Sequence, residues 1–182
     1  MIPTVEWMSR YFNKFNKQYF EGKLNEPQFV IGCPDGTWGY LEYNAEYNSL
    51  TRTITRVKTT PKLMLTNKYD RRAKDIANTM LHEMIHLYIY SVLKKYPLMQ
   101  HNNSAFLKFQ KILNNNGWEI SEENQPKPTD KLISPNKRNK SMSNNKSNNQ
   151  QNKVDINNLI TTLDNMINQN QFRYKRRRSR FS

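Results

Sequence analysis

Residues 78–90 read Asn-Thr-Met-Leu-His-Glu-Met-Ile-His-Leu-Tyr-Ile-Tyr (NTMLHEMIHLYIY) and hold two of the chain's three histidines. His82 and His86 stand four positions apart, with Glu83 beside the first. Around them Ile76, Met80, Met84, Tyr88 and Val92 recur every four residues, with Ala77, Leu81 and Ile85 alongside. This spacing predicts a helix from Asp70 to about Lys95, with Asp70 as its N-cap and Pro97 as its stop. On an α-helix, a spacing of four separates two side chains by about 40° around the axis and about 6 Å along it. Both imidazoles then reach one ion from the same face. Glu83 lies about 100° around from His82, where a carboxylate touches a water at the metal without itself ligating. That is the geometry of the H-E-x-x-H zinc-hydrolase pattern, two ligands and a general base.

A pattern this short also arises by chance, and a lone i, i+4 histidine pair fits an ordinary helix surface. Context decides between the two. The pair lies in the middle of a strongly periodic helix whose flanks are apolar, so the imidazoles are expected at a buried cleft. The remaining histidine, His101, follows that helix just before the next one. A catalytic zinc usually takes three protein ligands and leaves a fourth position open. Cys33 is the single cysteine, so no thiolate pair competes and no intramolecular disulfide forms. His82, His86 and His101 are therefore the expected ligands of one catalytic Zn2+, with Glu83 as catalytic base. Glu119 or Glu122 as third ligand is the alternative.

Helical spacing also runs through residues 4–21, where Trp7, Met8, Tyr11, Phe12, Phe15 and Tyr19 form one stripe and Gly22 follows as a stop. The segment PQFVIGCP reads as a short strand ending at the Pro34-Asp35-Gly36 turn. TWGYLEYN follows it. The threonine-rich SLTRTITRVKTT favours extended backbone with one wet, positive face carrying Arg52 and Arg56, and KLMLTN is a further short strand. A helix over about 103–115, with Phe106, Phe109, Ile112 and Leu113 on one side, ends before Gly117. The expected class is α+β: an N-terminal helix, a small antiparallel sheet, the metal-binding helix and a following helix, within a domain spanning residues 1–122.

Beyond that domain the composition changes. The whole chain is 36% hydrophobic with a net charge of +14, and residues 123–182 carry 13 Lys/Arg against 4 Asp/Glu. Residues 123–152 are rich in Asn, Lys, Ser and Pro, with almost no large apolar side chains, and are expected to be a disordered linker. In 153–170, Ile156, Leu159, Ile160, Leu163 and Ile167 give a short amphipathic helix suited to docking, to self-association or to folding back on the domain. The basic segment 171–182 follows. Its Arg173, Lys175, Arg176, Arg177, Arg178 and Arg180 favour DNA or another polyanion, the alternative being a solvated tail. Phe172, Tyr174 and Phe181 add rings that stack on unpaired bases. A nuclear-import signal or an RNA contact fits the same residues. The start, MIPTVEWMSRYF, lacks the pattern of a secretory signal, and no apolar run approaches the ~20 residues that span a bilayer. The expectation is a soluble intracellular protein, cytoplasmic or associated with a nucleoid or nucleus, with no membrane partner.

Four stretches together resemble the SprT-like metalloprotease family, which includes the Spartan-type proteases that degrade proteins crosslinked to DNA. They are YFNKFNKQYFEGKL (11–24), LMLTN (63–67), TMLHEMIHLYIY (79–90) and HNNSAFLKFQKILNNNGW (101–118). The resemblance covers roughly residues 5–117. It implies a zincin-like fold, zinc-dependent peptide hydrolysis and protein substrates, DNA-bound ones among them. Two departures are visible. The family's last segment reads His-Gly-x-x-Phe, whereas here it is His101-Asn-Asn-Ser-Ala-Phe106, without the glycine and one residue longer. Many members also carry a four-cysteine zinc ribbon, which one cysteine cannot build, so DNA tethering falls to the arginine-rich end. The rival functions are a catalytically silent zinc- and nucleic-acid-binding structural protein, viral or otherwise, and a zinc hydrolase of a non-peptide substrate.

Overall fold

A computed structural model describes residues 1–95, 101, 103–122 and 132. Helix α1 spans Val5–Tyr19. Thr4 begins it, its side-chain oxygen accepting from the Trp7 backbone N–H at 3.2 Å, which satisfies one of the donors that a helix start leaves open. The aromatic stripe is buried as the spacing predicts: Trp7, Met8, Tyr11, Phe12 and Phe15 all lie inside. Gly22 closes the helix at φ +70°, its N–H bonding to the Asn16 carbonyl at 2.9 Å. That left-handed conformation is one glycine adopts without strain. The buried Asn16 side chain also clasps Leu24 through both its N–H and its carbonyl, so the chain leaves α1 at a fixed angle.

Five strands follow: β1 (Gln28–Ile31), β2 (Gly39–Glu42), β3 (Ala45–Asn48), β4 (Thr53–Val57) and β5 (Lys62–Leu65). They form two sheets. One is three-stranded in the order β1-β5-β2, and the other is the β3-β4 hairpin. The α+β class holds, and both β2–β5 and β3–β4 are antiparallel. β1 instead runs parallel to β5, with Phe29 opposite Leu63. A parallel pair needs a long connection, and the intervening chain supplies it as β2 and the hairpin. Leu63 and Leu65 of β5 alternate inward and are fully buried, as expected for the central strand of a sheet covered on that face.

Helix α2 (Ala73–Ser91) packs against β2, β5, α1 and α3. Ile76, Ala77, Met80, Leu81, Met84, Ile85, Leu87, Ile89 and Tyr90 are all buried, so it is inserted into the core rather than laid on it. Its start differs from the sequence expectation. Arg72, not Asp70, occupies the N-cap and makes no side-chain cap bond. Asp70 is taken by the Met1 ammonium at 2.7 Å, a charged partner that competes with capping. The helix ends at Ser91, ahead of Pro97, which lies outside the described residues. Helix α3 (Ser104–Asn115) starts from Asn103, whose side chain accepts from the Ala105 N–H at 2.8 Å.

The linker 123–152, apart from the isolated bridge of Leu132 to Tyr69, lies outside the described residues, as do the 153–170 helix and the basic segment 171–182. Among the described residues no helix is long and apolar enough to cross a membrane.

Candidate metal centre

His82 and His86 project from one face of α2 one turn apart, and both are buried, at 4% and 7% exposure. The turn before α3 delivers His101 to the same place. His101 Nε2 lies 3.1 Å from His82 Nε2, and His86 Nε2 lies 3.2 Å from it. Two nitrogens on a tetrahedral zinc, each bonded at ~2.0–2.1 Å, stand about 3.3 Å apart. The three imidazoles thus present a ready-spaced set of donors, and the ligand atoms all fall within 4.8 Å of one another. The added residue between His101 and Phe106 does not displace the ring.

Burial keeps these rings neutral. Desolvation, aided by the other two imidazoles, pushes His82 down to about 3. Desolvation and His101 push His86 down to about 4, and desolvation lowers His101, opposed by Glu122. A neutral imidazole offers a lone pair, the form a metal requires. His82 faces the Ser121 carbonyl through Nδ1 at 3.0 Å. With the proton on Nδ1 donated to that carbonyl, Nε2 is left as a lone pair facing its two neighbours. His86 Nδ1, by contrast, is buried without a hydrogen-bond partner among the described residues. At 3.1 and 3.2 Å the three Nε2 atoms stand within hydrogen-bond reach in the metal-free protein, and a cation among them would take all three as ligands.

One side chain ties the cluster together. The Phe106 ring, fully buried on α3, lies 5.1, 5.2 and 4.9 Å from the rings of His82, His86 and His101. It forms an apolar wall that excludes water from the backs of the imidazoles. The sequence marked Phe106 as a core position of α3 and as the end of the His101–Phe106 segment, with no sign that its ring backs all three imidazoles.

Glu83 occupies another face of α2, toward the sheet, and is also buried, at 5% exposure. Its neighbour is Gly39, the first residue of edge strand β2. A Cβ added at Gly39 would lie 3.1 Å from Glu83 Oε1 and 2.6 Å from the Thr79 methyl, so strand and helix approach this closely only because residue 39 has no side chain. Arg71 secures the approach. Its guanidinium donates to Thr79 Oγ1 at 2.9 Å and to the Asp75 carbonyl at 2.8 Å, and stacks 3.9 Å over the Trp38 ring. Gly39, Arg71 and Trp38 carry no local motif. Their part in the site arises from contacts across the sheet–helix boundary.

The alternative third ligands are accounted for differently. Glu119 pairs with Lys74 across the start of α2, and Glu122 acts on His101 only as a nearby charge. Neither joins the group of side chains that could hold a metal ion among the described residues. Arg173, Lys175, Arg176, Arg177, Arg178 and Arg180 lie outside those residues. The model of the SprT-like family matches residues 8–130 of the chain. Among curated proteins none matches it.

Proposed function

The chain belongs to the SprT-like family, a family of metalloprotease type, and on that footing we propose that it is a zinc-dependent endopeptidase of the HExxH kind. The observation that carries the reading is the convergence of three neutral imidazoles at 3.1 and 3.2 Å, with a buried carboxylate next in sequence to the first. His82, His86 and His101 hold the ion. A zinc ion so held supplies a Lewis acid that acidifies water and polarises the scissile carbonyl. Glu83 takes the proton of the attacking water and delivers it to the departing amine.

Substrate backbone pairs with β2. Among the described residues β2 bonds only to β5 on one side, and it runs along the helix that carries Glu83. An extended peptide adding to its open edge lies beside the base and orders its scissile bond through main-chain hydrogen bonds. The threonine-rich 50–60 segment suits this less well. Thr53–Val57 is paired with β3 and also latched to the end of α2, where the Ile54 N–H bonds to the Lys94 carbonyl at 2.7 Å.

The substrates proposed are proteins bound to DNA, with the six cationic side chains of 173–180 as a tether. Support comes from charge: each Lys or Arg neutralising a phosphate releases a counterion and steepens the dependence on salt. Deleting 171–182 should weaken DNA binding at low salt and flatten its salt slope, as measured by fluorescence anisotropy. An unchanged slope refutes the tether.

Activity itself is tested with a DNA-bound protein substrate and Glu83→Gln. The expected result is cleavage by the wild type, with cleavage falling about 10²–10⁴-fold in the variant while one zinc per chain is retained. Bound zinc without turnover in either protein favours the silent structural reading instead.

A further inference from the structure

After α3 the chain turns back and crosses α2. We propose that this return segment, residues 118–121, is a positioning strap for the metal centre. Asn78, Gln110 and Asn114 hold it so that the Ser121 carbonyl fixes His82 with its proton on Nδ1 and Nε2 turned toward the ion. The proposal rests on the reading of His82 as a metal ligand.

The strap has little regular structure of its own, so its register is set by side chains around it. Trp118 is anchored first. Its Nε1–H donates to Tyr19 Oη at 2.7 Å, and its ring meets Phe15 edge-on at 5.3 Å. Glu119 donates its N–H to Asn78 Oδ1 at 3.1 Å, one helical turn before His82. At Ile120 the hold is two-sided. Its N–H donates to Asn114 Oδ1 at 2.7 Å, while its carbonyl accepts from Asn114 Nδ2 at 3.1 Å and Gln110 Nε2 at 3.0 Å. The next carbonyl, of Ser121, is the one that meets His82 Nδ1.

Helices α1, α2 and α3 therefore each grip one of three successive residues, and the fourth presents its carbonyl to a metal-ligating ring. A carbonyl on a free loop does not hold an imidazole in one tautomer. A carbonyl whose two preceding peptides are clamped does, and such outer partners orient ligating histidines in metal sites generally. His86 lacks a comparable partner among the described residues, so the strap supplies the one Nδ1 anchor seen on the helical pair. Asn78, Gln110 and Asn114 act through Ser121 and are positioning residues, not catalytic ones.

The test uses the full chain with Asn114→Ala, Asn78→Ala and Gln110→Ala. Gln110→Ala removes a single bond from a half-buried side chain and guards against a variant that fails to fold. Two quantities are read: zinc Kd by chelator competition, and the His82 tautomer in the metal-free protein by long-range ¹H–¹⁵N spectra. The strap predicts His82 as the Nδ1–H form in the wild type. It predicts loss of that single form in Asn114→Ala, and zinc binding weakened about 10–100-fold, with a smaller effect for Gln110→Ala. Folded variants that bind zinc within twofold of wild type and keep Nδ1–H overturn the strap and leave the peptidase reading standing. A wild type that binds no zinc overturns both.

Discussion

An alanine at position 39 would set its Cβ 2.6 Å from the Thr79 methyl and 3.1 Å from Glu83 Oε1. The Gly39 backbone is not in the left-handed region, so the cost is steric rather than conformational. Overpacking of this kind costs about 1–3 kcal/mol. Here part of it is relieved by moving the base. Gly39→Ala should thus lower kcat more than it raises KM and leave zinc content unchanged, with a modest loss in Tm. A variant with wild-type kcat would show that Glu83 does not depend on this gap. Residue-scale features divide cleanly by whether their cause is local. His82, Glu83 and His86 are legible in the sequence because one turn of helix fixes their geometry. Gly39 is not, because a glycine after Trp38 looks like any strand-entry glycine until the helix across from it is known.

Helix α3 earns its place in the site through Phe106, which touches all three imidazole rings. Replacing it with alanine should destabilise the protein by about 3–5 kcal/mol as a core cavity. It should also weaken zinc binding, because His101 would lose its apolar backing. Chelator-treated and zinc-loaded melts separate the two effects: a larger Tm loss in the loaded protein is expected, and an equal loss would assign Phe106 to the core alone. Helices were the readable elements. The aromatic stripe of α1 and the four-residue recurrence of α2 carry helical spacing over three turns or more, and the apolar side of α3, from Phe106 to Leu113, carries it over about two. Strand order was not readable, since four-residue strands such as Gln28–Ile31 and Lys62–Leu65 carry no record of their partner, and the parallel β1–β5 pairing is a choice made by the assembled core. The start of α2 shows the same limit: Asp70 has the chemistry of a cap, yet the Met1 ammonium claims it.

At the scale of the molecule, the histidine cluster couples folding to pH. His82 at about 3 and His86 at about 4 stand below the ordinary histidine value, chiefly through burial. Between those values and about 6.5 the unfolded chain binds protons that the folded chain does not. Stability of the metal-free protein is therefore fully present above pH 6.5 and falls as pH drops below it, by about 2–3 kcal/mol at pH 5.5 if both groups contribute. Chelator-treated samples melted from pH 7.5 to 5 should show this decline, and a flat Tm would mean that the rings are protonated without penalty. Much of the fold class, and the meeting of His82, His86 and His101, was legible in the chain. The strap and the wall behind the imidazoles were not, because they join residues remote in sequence.

Tyr19 and Trp118 make the longest of these joins, a hydrogen bond between residues 99 positions apart. Burial pushes the Tyr19 phenol up to about 12, so the oxygen that receives the indole proton stays uncharged at any physiological pH. Bringing such distant positions together carries the loop-closure entropy of nearly the whole domain. The peptide that buttresses His82 is thereby tied to the docking of the first helix. A nascent chain that has emerged only as far as its three histidines would lack this buttress, and under the peptidase reading the site would be complete only once residues 118–121 have followed.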